Sequence, residues 1–171
     1  MNSSLLAGFE SAISISENYF AVALGTNGAK ILAVNGDSQE LAVEAELDSK
    51  FLDMENIDVQ DIAYDPIRKI LFVLDRHVGV VPLQLTMTVS KLTARKLLST
   101  IKKSQCNVIY YDVQADELYI NCRELHKYWI GKWPTVEETI LPRQEISVRD
   151  IVSSGNTVAL VGRNIFEVIN L

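Results

Sequence analysis

The chain has 171 residues, of which 48% are hydrophobic and 22% are charged, and its formal net charge at pH 7 is -6. This length allows one folded domain with a substantial core, and the composition excludes disorder of the whole chain. The acidic balance excludes a general electrostatic attraction to nucleic acid, which depends on neutralising phosphates.

Four segments along the chain share one plan, and they begin at Ser11, Gln60, Asn107 and Val148. Each opens with a short β-rich run, passes through a polar turn and closes with a second strand-like run, as expected of paired strands. The turns contain Ser, Asp, Asn, Pro and Gly, which cap their own backbone, preset φ or tolerate positive φ. A third strand follows in every segment, and a more polar fourth strand follows in the first three.

One apolar residue recurs in the opening run of each segment, at Ile13, Ile62, Ile109 and Ile151. Successive spacings are 49, 47 and 42 residues, which is about the length that four strands and their turns require. The sequence therefore predicts a single all-β domain over residues 1–171. Its repeat units span about 11–48, 60–101, 107–141 and 148–171.

This plan resembles a β-propeller of the WD-repeat or a related superfamily, most clearly from Ile62 through Asp65 and Pro66 to Leu71 and Val73. The chain has no Trp-Asp dipeptide and no Gly-His pair, so the likeness is one of architecture. The resemblance implies a β-propeller-like array of about four antiparallel, four-stranded blades.

Propeller blades bury their faces against neighbouring blades, so an open arc of blades leaves two apolar faces uncovered. Two arrangements follow from this constraint. Residues 4–9 could supply the outer strand that the last unit lacks and close a compact ring. Alternatively, the chain is part of a larger propeller completed by another chain or by further sequence, which is the arrangement we favour.

Residues 90–103 fit two structures. They are rich in helix formers, and Leu97, Leu98 and Ile101 could share one helical face. Their position in the repeat favours a strand instead.

No known catalytic, cofactor-binding or metal-binding motif is present. His77, His126 and the two cysteines lack zinc-ligand spacing, and we interpret both histidines as surface residues. Nucleophile-elbow and phosphate-loop motifs are absent. We therefore predict a protein that is not an enzyme and uses no cofactor or metal. If it is a propeller hydrolase or lyase, Asp65, Asp75 and Asp112 at strand ends are the first carboxylates to inspect.

Charge is uneven along the chain. Residues 37–61 carry nine acids against Lys50 alone, whereas a later segment has five basic residues: Lys91, Arg95, Lys96, Lys102 and Lys103. Solvated outer strands explain both runs. As an alternative, they form a charge dipole across the surface that orients an acidic protein partner.

Aromatic residues concentrate in the third unit, where Tyr128, Trp129 and Trp133 stand close together. Tyr and Trp are frequent both in packed sheets and in interface hot spots. We expect one tryptophan to be buried and the other to be partly exposed. These three aromatics and the five basic residues are the candidate partner-binding residues.

Cys106 and Cys122 are the only cysteines, which is too few for a disulfide-stapled scaffold. We interpret them as reduced thiols, although a bridge can form if their strands are neighbours. The sequence shows neither a secretory signal nor an apolar run of membrane-spanning length. These features predict a cytoplasmic protein without membrane insertion.

The expected function is a non-enzymatic scaffold for protein–protein interaction, a propeller platform in a coat, transport or regulatory complex. Its partners are proteins, including a chain or segment that completes the propeller, and not nucleic acid. The alternatives are a propeller-type hydrolase or lyase and a sensor domain for a peptide or small ligand.

Overall fold

The structure is a computed structural model and describes residues 5–35, 40–88, 91–142, 147–164 and 166–171. These residues form sixteen strands and one short helix. In chain order they are β1 (Ser11–Ser16), β2 (Tyr19–Ala23), β3 (Ala29–Val34), β4 (Leu41–Leu47), α1 (Ser49–Leu52), β5 (Val59–Asp65), β6 (Ile70–Asp75), β7 (Gly79–Met87), β8 (Leu92–Lys96), β9 (Ile101–Lys102), β10 (Val108–Asp112), β11 (Glu117–Asn121), β12 (Leu125–Lys132), β13 (Thr135–Leu141), β14 (Val148–Ser154), β15 (Thr157–Gly162) and β16 (Phe166–Asn170).

The strands form four antiparallel sheets arranged as the blades of a β-propeller, which confirms the predicted fold class. The sheets have the strand orders β1-β2-β3-β4, β5-β6-β7-β8, β10-β11-β12-β13 and β14-β15-β16, and β9 adds a short pairing to β7. We call them blades 1 to 4. The described part of blade 4 has three strands.

Burial changes from the middle of each blade to its outer strand. Every residue of β6 is buried, because its apolar run packs against a neighbouring blade on each face. The outer strand β13 is mostly exposed, in keeping with its Thr and Glu residues. This gradient follows from the stacking of blades side by side.

Three apolar clusters fill the junctions between consecutive blades. One joins blades 1 and 2 around Ile31 and Leu71, a second joins blades 2 and 3 around Phe72 and Ile120, and a third joins blades 3 and 4 around Tyr119. Among the described residues, no such cluster joins blade 4 to blade 1. The core is therefore a set of separate layers, each shared by two blades.

The recurring isoleucine is equivalent in three blades only. Ile62, Ile109 and Ile151 each face the preceding blade, but Ile13 packs toward the following one. The first unit is offset by one residue, and a one-residue offset moves a side chain to the other face of the sheet. The spacing found the repeat, but Ile13 is not the structural equivalent of the other three isoleucines.

The N-terminal segment does not complete the last blade. Leu5 and Leu6 pack on the free face of blade 1, against Val22, Leu24 and Leu32. The alternative in which residues 4–9 supply the outer strand of the last unit is therefore wrong for residues 5–9, and Ser4 lies outside the described part. Burying Leu5 and Leu6 on an apolar face next to their own strand explains this position.

The ambiguous segment at 90–103 contains strands, and its described residues contain no helix. β8 pairs with β7 from Leu83↔Lys96 to Met87↔Leu92, whereas Ser90 lies outside the described residues. The one helix, α1, was not predicted. The Asp48 carboxylate caps it by accepting the Phe51 N–H at 2.8 Å.

The prediction of reduced thiols is wrong. Cys106 and Cys122 form a disulfide across the ends of β10 and β11, within the cluster between blades 2 and 3. The Val108↔Asn121 pairing brings the two segments together, which is the condition under which we expected a bridge to form. No local sequence signal reports this register.

Reducing the disulfide should lower the free energy of unfolding by about 3 kcal/mol, because it closes a loop of 16 residues. Urea unfolding with and without a phosphine reductant measures this change. A Cys106→Ala/Cys122→Ala variant serves as the control and should not respond to the reductant. Equal stability of oxidised and reduced wild-type protein would contradict the assignment.

An ion-pair network joins blade 2 to blade 3 at the β5–β6 turn. The Arg68 guanidinium donates to Asp65 at 2.6 Å and to Asp116 at 2.8 Å, and the Tyr111 hydroxyl also donates to Asp116 at 2.9 Å. The Asp65 side chain is fully buried. The Arg68 hydrogen bond holds the pKa of Asp116 below its ordinary value, with a smaller opposing effect of burial.

Arg68→Ala should cost about 2 kcal/mol of unfolding free energy, less than for a fully buried pair, since Arg68 is 26% exposed. A lowered carboxyl pKa adds stability above the unfolded pKa and loses it as the pH falls through the folded pKa. The difference in unfolding free energy between Arg68→Ala and wild type should therefore become smaller below about pH 4.

Urea midpoints at neutral and acidic pH measure both effects. Arg76→Ala is the matched control, because the Arg76–Asp58 pair is 3.3 Å long and half of the Arg76 side chain is exposed. A gap between Arg68→Ala and wild type that is the same at both pH values would refute the electrostatic explanation.

Candidate functional site

The three strand-end carboxylates bind the turns that follow them. Asp65, Asp75 and Asp112 are all buried, and one oxygen of each accepts two backbone N–H groups two and three residues ahead. The distances lie between 2.8 and 3.1 Å. These aspartates therefore recur because each one caps the turn that follows its strand. The three side chains lie at three separate turns.

Asp112 also connects two blades, because the Ser153 hydroxyl of blade 4 donates to its second oxygen. Burial would raise the pKa of Asp112, but the bonds from Ser153, Ala115 and Gln114 together outweigh burial and lower it. These hydrogen-bond donors stabilise the ionised form of Asp112.

The first strands of all four blades line one central cavity of about 370 Å³. Asp61 of β5 lies at this cavity, and burial raises its pKa despite hydrogen bonds from the Ile109 and Ile62 N–H groups. Arg149 and Asp150 of β14 line the same space. Within the described ranges, no group of three or more His, Cys, Asp or Glu residues could hold a metal ion.

Four of the predicted partner-binding residues meet in a groove between blades 2 and 3. Lys102, Lys103, Tyr128 and Trp133 line a cavity of about 230 Å³, with Glu138 on its wall. The Lys103–Glu138 ion pair of 2.7 Å connects the two sides of this groove. The sequence placed these residues in two separate units and gave no sign that they meet.

Glu138 organises the groove. Its Oε1 atom accepts hydrogen bonds from Lys103 at 2.7 Å and Tyr128 at 2.9 Å, and it lies 2.7 Å from His126 Nδ1. Burial would raise the pKa of Glu138, but these bonds outweigh it and lower the pKa. Tyr128 and His126 are buried, so the interpretation of His126 as a surface residue is wrong.

Both tryptophans are half-buried, whereas we predicted one of them to be buried. The Trp133 ring meets Phe72 edge to face at 5.7 Å, and the Lys132 ammonium lies 5.7 Å from the Trp129 ring. Trp133 therefore serves the blade 2–3 junction as well as the groove.

The other predicted basic residues lie on β8 or directly before it, and they do not line the groove. Lys91 and Arg95 are exposed, and the Lys96 ammonium donates to the Leu52 carbonyl. β8 lies beside the acidic strand β4, where Glu44 accepts the Leu92 N–H at 3.0 Å. Asp37 lies outside the described residues. The acidic strand β4 and the basic strand β8 are thus neighbours, and the charge dipole across the surface stays a prediction.

Blade 4 has an uncovered apolar face, which its sequence does not distinguish from a buried one. On blade 4, Val152, Val161, Phe166 and Val168 are 47%, 37%, 69% and 53% exposed. The pairings Val152↔Ala159↔Val168 and Val161↔Phe166 place them side by side on the face turned away from blade 3. We call this set the blade 4 end face.

The sequence matches no protein-family model, and a search of curated proteins gives no match either. In the part of the chain that the structure describes, no helix is long and apolar enough to cross a membrane.

Proposed function

We propose that this protein is a non-enzymatic scaffold that binds a protein partner and works as a propeller platform within a multi-subunit complex of the coat, transport or regulatory type. The observation that carries the proposal is the blade 4 end face. Contiguous exposed apolar surface of this kind is typical of protein–protein contact.

The internal junctions support this role for the end face. The corresponding face of blade 2 is covered by blade 3, and Ala63 and Phe72 there are 3% and 0% exposed. Blade 4 presents the same kind of face to solvent. Covering it with another protein removes apolar area from water, which is the main favourable term in association.

The alternative of a hydrolase or lyase has weaker support. Asp65, Asp75 and Asp112 bind turn N–H groups in three separate turns, whereas catalysis needs groups that converge on one point. A ligand sensor is also less well supported, since the groove of about 230 Å³ is smaller than the usual pocket for a drug-sized ligand.

The disulfide is relevant to the cellular compartment in which the scaffold functions. We predicted the cytoplasm, but glutathione keeps cytosolic thiols reduced, and the Cys106–Cys122 bond favours an oxidising compartment. The link to WD-repeat propellers also stays part of this proposal, and it is carried by architecture alone.

Affinity capture with tagged full-length protein and mass spectrometry tests the function. Val168→Asp should lose the captured partner, because it places a charge in the centre of the end face. Leu98→Asp is the matched control, since Leu98 is a fully exposed apolar residue elsewhere. Equal capture by wild type and Val168→Asp would refute the end face as the docking surface.

A further inference from the structure

The groove between blades 2 and 3 has a rigid wall on the side of blade 3. Glu138 is fixed there by the buried side chains of Tyr128 and His126, whose polar atoms lie 2.9 Å and 2.7 Å from its Oε1 atom. The Trp133 ring is held edge to face on Phe72, with the ring centroids 5.7 Å apart. A site whose walls are already held in place loses little conformational entropy when a ligand binds.

The groove carries an excess of positive charge. The Lys103 ammonium donates to Glu138 at 2.7 Å, so these two charges compensate each other. Lys102 lines the same groove and is exposed, and among the described residues no acceptor holds its ammonium group. The protein as a whole has a net charge of -6, so this positive charge runs against the overall balance and attracts acidic groups locally.

Apolar surface borders this charge. Val136 and Trp133 are partly buried and pack on the cluster between blades 2 and 3. Ile140 is 54% exposed and lies on the same face of β13 as Val136 and Glu138, because side chains alternate along a strand. The groove thus offers a free ammonium group with apolar side chains beside it, and its volume of about 230 Å³ suits a side chain of a protein partner.

We propose that this groove binds an acidic side chain of a protein partner, whose carboxylate pairs with the Lys102 ammonium while an adjacent aliphatic side chain packs on Val136 and Trp133. The inference rests on the proposed function and gives the chemical class of the partner segment. It adds a second contact surface to the blade 4 end face. An ion pair of this kind contributes to the specificity and the register of the contact more than to its affinity.

NMR titration of the isotope-labelled full chain with short peptides tests the groove. The probes are acetyl-Leu-Glu-Leu-amide and its counterpart acetyl-Leu-Gln-Leu-amide, each up to about 10 mM, which covers millimolar dissociation constants. The glutamate peptide should shift the backbone amide signals of Lys102 and Val136 and the indole N–H signal of Trp133. It should bind about tenfold more tightly than the glutamine peptide, because only it offers a charged acceptor.

Charge reversal supplies the matched comparison. Lys102→Glu should lose the glutamate peptide and gain binding of acetyl-Leu-Lys-Leu-amide, a result that an unfolded variant could not give. Lys91→Glu makes the same change in net charge at an exposed residue outside the groove, and it should bind like wild type. Raising the salt concentration from about 0.05 M to about 0.5 M should weaken binding to wild type, because salt screens exposed charges.

Equal affinity of wild type for the glutamate and glutamine peptides would overturn the acidic anchor. So would signal shifts confined to residues outside the groove, or no shift at the highest peptide concentration. These outcomes concern the groove alone. The capture experiment with Val168→Asp judges the proposed function separately, because a partner can bind the blade 4 end face without occupying the groove.

Discussion

Face-to-face packing of antiparallel sheets is the interaction on which this structure depends. A single blade has two apolar faces and cannot bury either by itself, so each junction cluster stabilises two blades at once. The strand order within a blade is local in sequence, whereas the packing between blades is not. Stability therefore comes from neighbours, and a face without a neighbour becomes available surface.

Hydrogen bonds and ion pairs between blades fix the orientation of each blade relative to the next. Asp61 reaches Ile109, Arg68 reaches Asp116 and Ser153 reaches Asp112, and each contact crosses a junction. Apolar packing is non-directional, so these hydrogen bonds supply orientation that burial alone lacks. Asp61 also caps the bulge of its own strand and Asp112 caps the turn that follows it, which explains why Asp recurs at these positions without forming an active site.

Features that depend on local pattern could be predicted from the sequence. Features that depend on the register between distant residues could not. Alternation and turn residues revealed the strands and the four units, because side chains alternate between the two faces within each strand. The face taken by Ile13, the partner of Cys106 and the position of Leu5 depend on register or on nearby surface. For the candidate site, Lys103 and Trp133 were named, but the groove joining them needs the blade 2–3 junction. The blade 4 end face reads like any other strand face, since the pattern does not show which face lacks a neighbour.

Hydrogen exchange of a Phe72→Ala variant tests the central claim most directly. Phe72 belongs to blade 2, is fully buried and lies 6.1 Å and 5.7 Å, ring to ring, from Tyr111 and Trp133 of blade 3. If neighbouring blades stabilise each other, exchange should accelerate in β11 and β12 of blade 3 as well as in β6 and β7. Faster exchange confined to blade 2 would contradict the account, because each blade would then be stable without its neighbour.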